Sequence, residues 1–305
     1  VVGYDSAKNL NLATNSLDDI IIGNESANNL DSGLRNIIIG NEAAQNLSAS
    51  GTDDDNIMIG HESGMNVRTS NNVLIGSQSG QYVNSGTDNT FIGFNTGKGL
   101  SGNSNNDASK NVIIGKASAD KINSGNQNVI IGAAAAQSIT DGNENIIIGS
   151  ESTSSEGSSG PARSLNTGSK NIIMGTKSAE LLTTGDENIV LGSESGKKMV
   201  TTSKTIIIGV NSGNELASTS ASNAVIIGHE AGQKLTDGSS IIIGNKSGLN
   251  ANAKDICIIG NEAGKTITGA RNTFIGNYTG GVSEDPSNAV DGTDNVLIGT
   301  YAGFS

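Results

Sequence analysis

One five-residue phrase, Asn36-Ile37-Ile38-Ile39-Gly40, returns with little change along this chain and constrains its fold more than any other feature. Its glycine recurs 17 times from Gly3 to Gly299, at spacings of 16 to 26 residues, most often 16 or 17. A unit this short cannot hold a helix-loop-helix pair, so each copy must bury its apolar side against the copies before and after it. A coil of a parallel β-solenoid or β-roll fits that length, with successive coils about 4.8 Å apart. The 305 residues would otherwise suggest about two domains. The repeat predicts instead a single continuous all-β solenoid domain over 1–305, of about 17 coils.

With each glycine as zero, position seven is aliphatic in Leu10, Leu30, Leu47, Val67, Val83, Leu100, Ile122, Ile139, Leu182, Met199, Leu216, Leu235 and Ile267. Positions three and four are small, as in Ser26-Ala27, Ala43-Ala44, Ser63-Gly64 and Ala263-Gly264. Side chains alternate along an extended segment, so positions three and seven would share a face. Each unit then reads as strand, glycine bend, second short strand and polar turn. Helix is the competing reading for 25–30 and its equivalents, but glycine at position four recurs too often for it. The turn carries Gly33, Gly142, Gly185 and Gly238 after Ser, Asp or Thr, where glycine would supply a left-handed reversal. Long excursions at 48–55, 101–110, 152–170, 217–223 and 283–294 all fall in this one connection. Aromatics are only 3% and Trp is absent, so Ile and Val must fill the core.

All three residues before the glycine are apolar in nearly every copy. A strand lining a lone roll needs only its inward residues apolar. Both faces are therefore apolar, and the middle residues, Ile21, Ile38, Met58, Leu74, Phe91, Ile113, Ile130, Ile147 and Ile173 among them, are expected to form an outward stripe that, left exposed, is larger than soluble monomers tolerate. The economical cover is the same stripe on identical chains, giving a closed parallel oligomer, most simply a homotrimer. A covering element from another chain is the alternative. Asn precedes the strand in eleven copies, including Asn36, Asn56, Asn72, Asn89, Asn111, Asn128, Asn145, Asn171, Asn188, Asn272 and Asn295. An amide can both donate to and accept from its neighbours above and below, so this column predicts a stacked Asn ladder at a corner. A row of sugar contacts is the other reading of the same column.

The phrases Asn89-Thr90-Phe91-Ile92-Gly93, Asn272-Thr273-Phe274-Ile275-Gly276 and Asn295-Val296-Leu297-Ile298-Gly299 resemble the strand-glycine repeats of trimeric bacterial surface adhesins with left-handed parallel β-roll heads. They are still more similar to repeats of bacterial and phage fibre proteins, which often end in an intramolecular chaperone domain. The repeat here is longer and more variable than that of the adhesin heads. The resemblance implies a segment of a longer extracellular fibre, on a cell surface or a virion, with a host or neighbouring-cell receptor or glycan as partner. The opening Val1-Val2-Gly3 and the closing Tyr301-Ala302-Gly303 fall in mid-phrase and fit such a segment.

The formal charge of −12 points away from nucleic acid and anionic membranes, which reward clustered Lys and Arg. No apolar run approaches the length of a membrane span. Cys257, the single cysteine, excludes an intrachain disulfide and reads as a buried thiol standing in for Ile or Val. Catalysis needs convergent unlike groups, whereas a repeat multiplies like ones, so no catalytic, cofactor or metal residue is assigned and the chain is expected not to be an enzyme. His61 and His229 lie in distant coils and cannot share a metal. Glu25, Glu42 and Glu62 occupy position two of successive coils and could crowd enough for Ca²⁺, but a solvated column is preferred, as it is for Asp53-Asp54-Asp55. The glycines open no helix and no Gly-Lys-Ser/Thr occurs, which argues against a phosphate loop. Thr is not arrayed as on an ice-binding face. The sequons at Asn24, Asn46, Asn245 and Asn277 matter only in a eukaryotic secretory route. The function expected is a structural or adhesive shaft or head segment that binds through its surface loops. A polysaccharide-binding or polysaccharide-degrading fibre and a self-polymerising filament are the alternatives.

Overall fold

A computed structural model describes residues 1–9, 18–30, 33–47, 54–102, 106–154, 157–216, 222–235, 239–281 and 290–303, with the side chains of 152–159 excepted. Among them the fold is an all-β parallel solenoid. The chain divides into two compact units, Val1–Ser150 and Glu151–Ser305. Each unit carries eight three-residue strands of the parallel sheet, from Ile20–Ile22 to Ile146–Ile148 in the first and from Ile172–Met174 to Val296–Ile298 in the second. Within each unit consecutive strands pair in parallel without slip, so that Ile38 lies between Ile21 and Met58, and Ile207 between Val190 and Ile226. Sixteen strands therefore replace the expected 17 coils: the first copy contributes only the isolated bridge from Val2 to Ile22.

β-branched residues make the strand, and its pleat decides which of them is inside. The middle residue is buried in every strand but the last, Val296–Ile298, and the residues on either side are half-buried or exposed. Ile38, Ile113, Ile130 and Ile147 are 0% exposed within a single chain. The middle residues thus form the core of the coil and not an outward stripe. Each such burial is worth about 1.5–3 kcal/mol. Position seven completes the core, with Leu30, Leu47, Ile122, Ile139, Leu182 and Ile267 also at 0%. Leu100 is only half-buried, and Leu10 lies outside the described residues.

The segment after the glycine is not a second strand. It is a run of stacked turns in which positions two and four take left-handed backbone, as in Glu25 (φ 51°) and Ala27 (φ 49°). Backbone N–H groups there donate alternately within the turn and to the next coil: Leu30 N–H to Ala27 O at 3.1 Å, and Ala27 N–H to Ala43 O at 2.9 Å. Position four is small because the core residue lies against it; a Cβ on Gly97 would meet the Phe91 ring at 2.6 Å. Among the described residues there is no helix.

The polar turn also differs from expectation. Gly185 does not adopt a left-handed angle; it is glycine because a Cβ would press on the Leu182 side chain at 2.7 Å and on the Thr202 backbone in the next coil. The left-handed residue of this corner lies further on and carries a side chain: Lys110 (φ 60°), Gln127 (φ 59°) and Glu144 (φ 57°) precede the ladder asparagine by one. Their N–H groups reach back one coil, Gln127 to Ser109 O at 3.1 Å and Glu144 to Asn126 O at 2.9 Å. Gly238 lies outside the described residues.

The longest excursion enters at a different corner from the one expected. It forms an antiparallel hairpin, Ser152–Ser154 with Gly157–Ser159, close behind Gly149. Ala162 (φ 48°) and Leu165 (0% exposed) then resume positions four and seven. The extra residues therefore precede the small pair in this copy and leave the core column intact.

Candidate functional site

Three features of this solenoid could do more than hold it together: the outer face of the sheet, the buried Asn ladder and a column of acids. On the outer face, the third residue of all sixteen strands is apolar, from Ile22 to Ile298, and none is buried. The first residue is apolar in most; Thr90, Cys257 and Thr273 are the departures. Two columns of Ile and Val, with Ile20 49% and Ile241 43% exposed, therefore run along each unit. Cys257 belongs to this outward column and is half-buried, not interior as expected. Among the described residues nothing covers these columns.

The ladder is built as expected, and more fully. Asn128 Oδ1 accepts both the backbone N–H of Asn145 and its Nδ2, each at 3.0 Å. Asn128 Nδ2 in turn donates to Asn111 Oδ1 at 3.0 Å and to Gly142 O at 2.9 Å. The same arrangement links Asn36, Asn56, Asn72, Asn89 and Asn111 in the first unit, Asn171 with Asn188, and Asn272 with Asn295, all but Asn295 buried. A buried amide with every donor and acceptor occupied has nothing left for a sugar. A second Asn row, unforeseen, joins Asn9, Asn29, Asn46 and Asn66 at position six, the first two exposed and the last two half-buried. Of the sequons, Asn46 sits in that row, while Asn24, Asn245 and Asn277 are exposed.

Asp19 occupies the ladder position at the head of the first unit. Its Oδ1 accepts the Asn36 N–H at 2.7 Å, and its Oδ2 is buried without a partner. Burial raises its pKa above the ordinary 3.8, against the hydrogen bonds from Asn36. The folded chain thus holds this proton more tightly than the unfolded chain, and stability falls as pH rises from 3.8 through the raised value. Asp19→Asn is expected to stabilise the protein at pH 7 by roughly 1 kcal/mol, through the missing amide donor, and to flatten the dependence just above pH 4. Thermal melts of both proteins between pH 4 and 7 check this; equal slopes would refute it.

Asp55 is exposed as expected, but the acids are more engaged by hydrogen bonds than a bare solvated column would be. Asp54 Oδ1 accepts the Leu34 N–H at 2.8 Å, and Asp55 forms a two-point pair with Arg35 at 2.6 and 2.8 Å, which holds its carboxyl below the usual range. Asp53 lies outside the described residues. In the position-two column, Gln45 donates to Glu25 at 3.0 Å, and Gln78 and Gln81 both donate to Glu62, at 2.6 and 2.7 Å. His61 and His229 are about half exposed and belong to different units. Each has instead a glutamate beside it: His61 with Glu62 and His229 with Glu230, both at 3.9 Å. The group that reasoning along the sequence passed over is Glu42, His61 and Glu62, whose ligand atoms lie within 4.8 Å of one another. The spacing of 19 residues from Glu42 to His61, one coil less one residue, was its only signal.

Among the described residues no helix is long and apolar enough to cross a membrane. Comparison with known proteins finds no matching family model, no matching curated protein and no matching solved structure, so what these surfaces do is argued from the solenoid alone.

Proposed function

We propose that this chain is a structural and adhesive shaft or head segment of an extracellular homotrimeric fibre, and not an enzyme. The observation that supports it is the outer face of the sheet. A coil that kept the middle residue for its own core had no need of Ile at the third position, yet all sixteen strands place an apolar residue there. Two uncovered apolar columns along a ladder of strands are the kind of surface that soluble proteins bury against a partner. An identical chain carries the same columns at the same rise, so a closed parallel ring matches them coil for coil. The described turns remain on the outside of such a bundle, where a cell-surface receptor or glycan would be met.

The test separates this face from the core. Aspartate at Ile113, Ile130 or Ile147 charges the interior and unfolds the coil, so it says nothing about assembly. The double change Val129→Asp with Ile131→Asp charges only the outer columns. Sedimentation is expected to give three chain masses for the natural protein and one for this variant, with the circular dichroism of both unchanged. A variant that sediments as the natural protein does would refute the trimer by this face, and a natural protein of open-ended mass would favour the filament.

A further inference from the structure

Four successive coils of the first unit place a carboxylate at position two: Asp5, Glu25, Glu42 and Glu62. The same column in the second unit mixes its charges, and Glu194, Glu230 and Glu262 have Lys197, Lys246 and Lys265 at 3.5, 3.6 and 2.7 Å. Asp5 has Lys8 at 3.7 Å. Among the described residues neither Glu42 nor Glu62 has a Lys or Arg partner; the nearby group is His61. Backbone stacking fixes the main chain at these residues, with the Glu42 N–H on Asn24 O at 2.8 Å and the Glu62 N–H on Asn41 O at 3.0 Å.

A second observation comes from beneath the cluster. Gln81 is 3% exposed, and its amide lies against Glu62, with Nε2 2.7 Å from Oε2. Its Oε1 is buried and accepts no hydrogen bond. Turning that amide by half a rotation about its last bond exchanges oxygen for nitrogen beside Glu62. Two bare oxygens at that separation repel; two oxygens that share a cation sit there readily.

We propose that Glu42, His61 and Glu62, with the Gln81 amide oxygen as fourth donor, bind one divalent transition-metal ion of the Zn²⁺ class. Donors around tetrahedral Zn²⁺ lie about 3.3 Å apart, so atoms already within 4.8 Å close on the ion by side-chain rotation, without moving the coils. The imidazole sets the class of metal, because Ca²⁺ and Mg²⁺ take oxygen donors. Gln78, donating to Glu62 Oε2 at 2.6 Å, orients that carboxylate. The bound ion clamps three neighbouring coils and neutralises the last two acids of the column. The second His-Glu pair is an internal control: Lys246 already occupies the free oxygen of Glu230, and Asn211 stands where a second acid would be needed. This site is independent of the fibre reading.

Calorimetric titration of the full, tag-free chain with Zn²⁺ at pH 7 is expected to show one saturable site per chain. His61→Ala and Glu42→Gln are each expected to weaken it at least tenfold, and His229→Ala to leave it unchanged. Excess Ca²⁺ should not compete, and the imidazole resonances of His61 alone should shift on saturation. No saturable binding, or binding that survives His61→Ala, would overturn the proposal. So would equal displacement by Ca²⁺, which would mean that the acids bind cations without the imidazole. His61 and Glu42 are not core residues, and unchanged circular dichroism of the variants will show that lost binding is not lost fold.

Discussion

Gly132→Ala is expected to cost about 4 kcal/mol and to open the coils on either side of it. Two penalties add at this position. The backbone angle, φ 131°, is one that residues with a Cβ adopt only under strain of about 1–3 kcal/mol. The Cβ itself would overlap the carbonyl oxygen of Gly149 and lie 2.5 Å from its carbonyl carbon. Backbone cannot rotate away as a flexible side chain does. The strand ladder also prevents separation, because the Gly132 N–H is held by Ile114 O at 2.8 Å and the Gly149 N–H by Ile131 O at 2.9 Å. Forcing the coils apart would break those bonds and loosen Ile130 from Ile147 in the core. Overpacking of this kind adds a further 1–3 kcal/mol or more. Gly102→Ala is the matched control, since Gly102 (φ 79°) also has left-handed backbone but nothing lies within 4 Å of its Cβ position; a loss of about 1 kcal/mol is expected there. Urea denaturation of both variants measures the difference. Equal losses would mean that the angle alone, and not the stacking, demands glycine at the strand end.

The period, the parallel strands, the core column at position seven and the Asn ladder are all legible in the sequence, because each recurs at one offset and a stacked fold turns offsets into columns. Which strand face points inward is not legible from periodicity. A three-residue run that is apolar throughout reads the same in either phase, and Ile37-Ile38-Ile39 is such a run. The exceptions carried the answer: Thr90 and Thr273 at the first position, each followed by Phe, mark an outward residue beside an inward one. The turns were hidden for another reason. Left-handed backbone at Lys110, Gln127 and Glu144 follows from N–H groups that reach the coil before, so no property of these side chains announces it. Leu165 escaped notice because the hairpin displaced it from position seven by nine residues, from 156 to 165. Glu42 and His61 escaped because the eye pairs the two histidines with each other, whereas a solenoid brings together residues about one coil apart.

The ladder supplies the second large effect, and its size depends on what the neighbours are left with. Asn128→Ala removes four hydrogen bonds from the buried corner. The Asn145 N–H, the Asn145 amide and the Gly142 carbonyl each lose a partner, in a space that a methyl group cannot fill. At about 1–3 kcal/mol for a buried group left unsatisfied, the expected loss is about 3–5 kcal/mol, after some relief from water entering the gap. The second unit shows how the column can stop without that penalty. After Asn188 the ladder position holds Thr205, Ala224, Ser240 and Ile256, and Thr205 closes the run by donating its N–H to Asn188 Oδ1 at 3.1 Å. Further on, Ser240 Oγ receives the Ile256 N–H at 3.3 Å. No amide is stranded where its neighbours have also surrendered theirs. The double change Asn128→Ala with Asn145→Ala is therefore expected to cost clearly less than the sum of the single changes, by 1 kcal/mol or more, since adjacent members of one network are coupled. A double-mutant cycle by urea denaturation measures that coupling. Strict additivity, or a loss below 1 kcal/mol for Asn128→Ala alone, would mean that the amides are spectators at a corner that the backbone holds by itself.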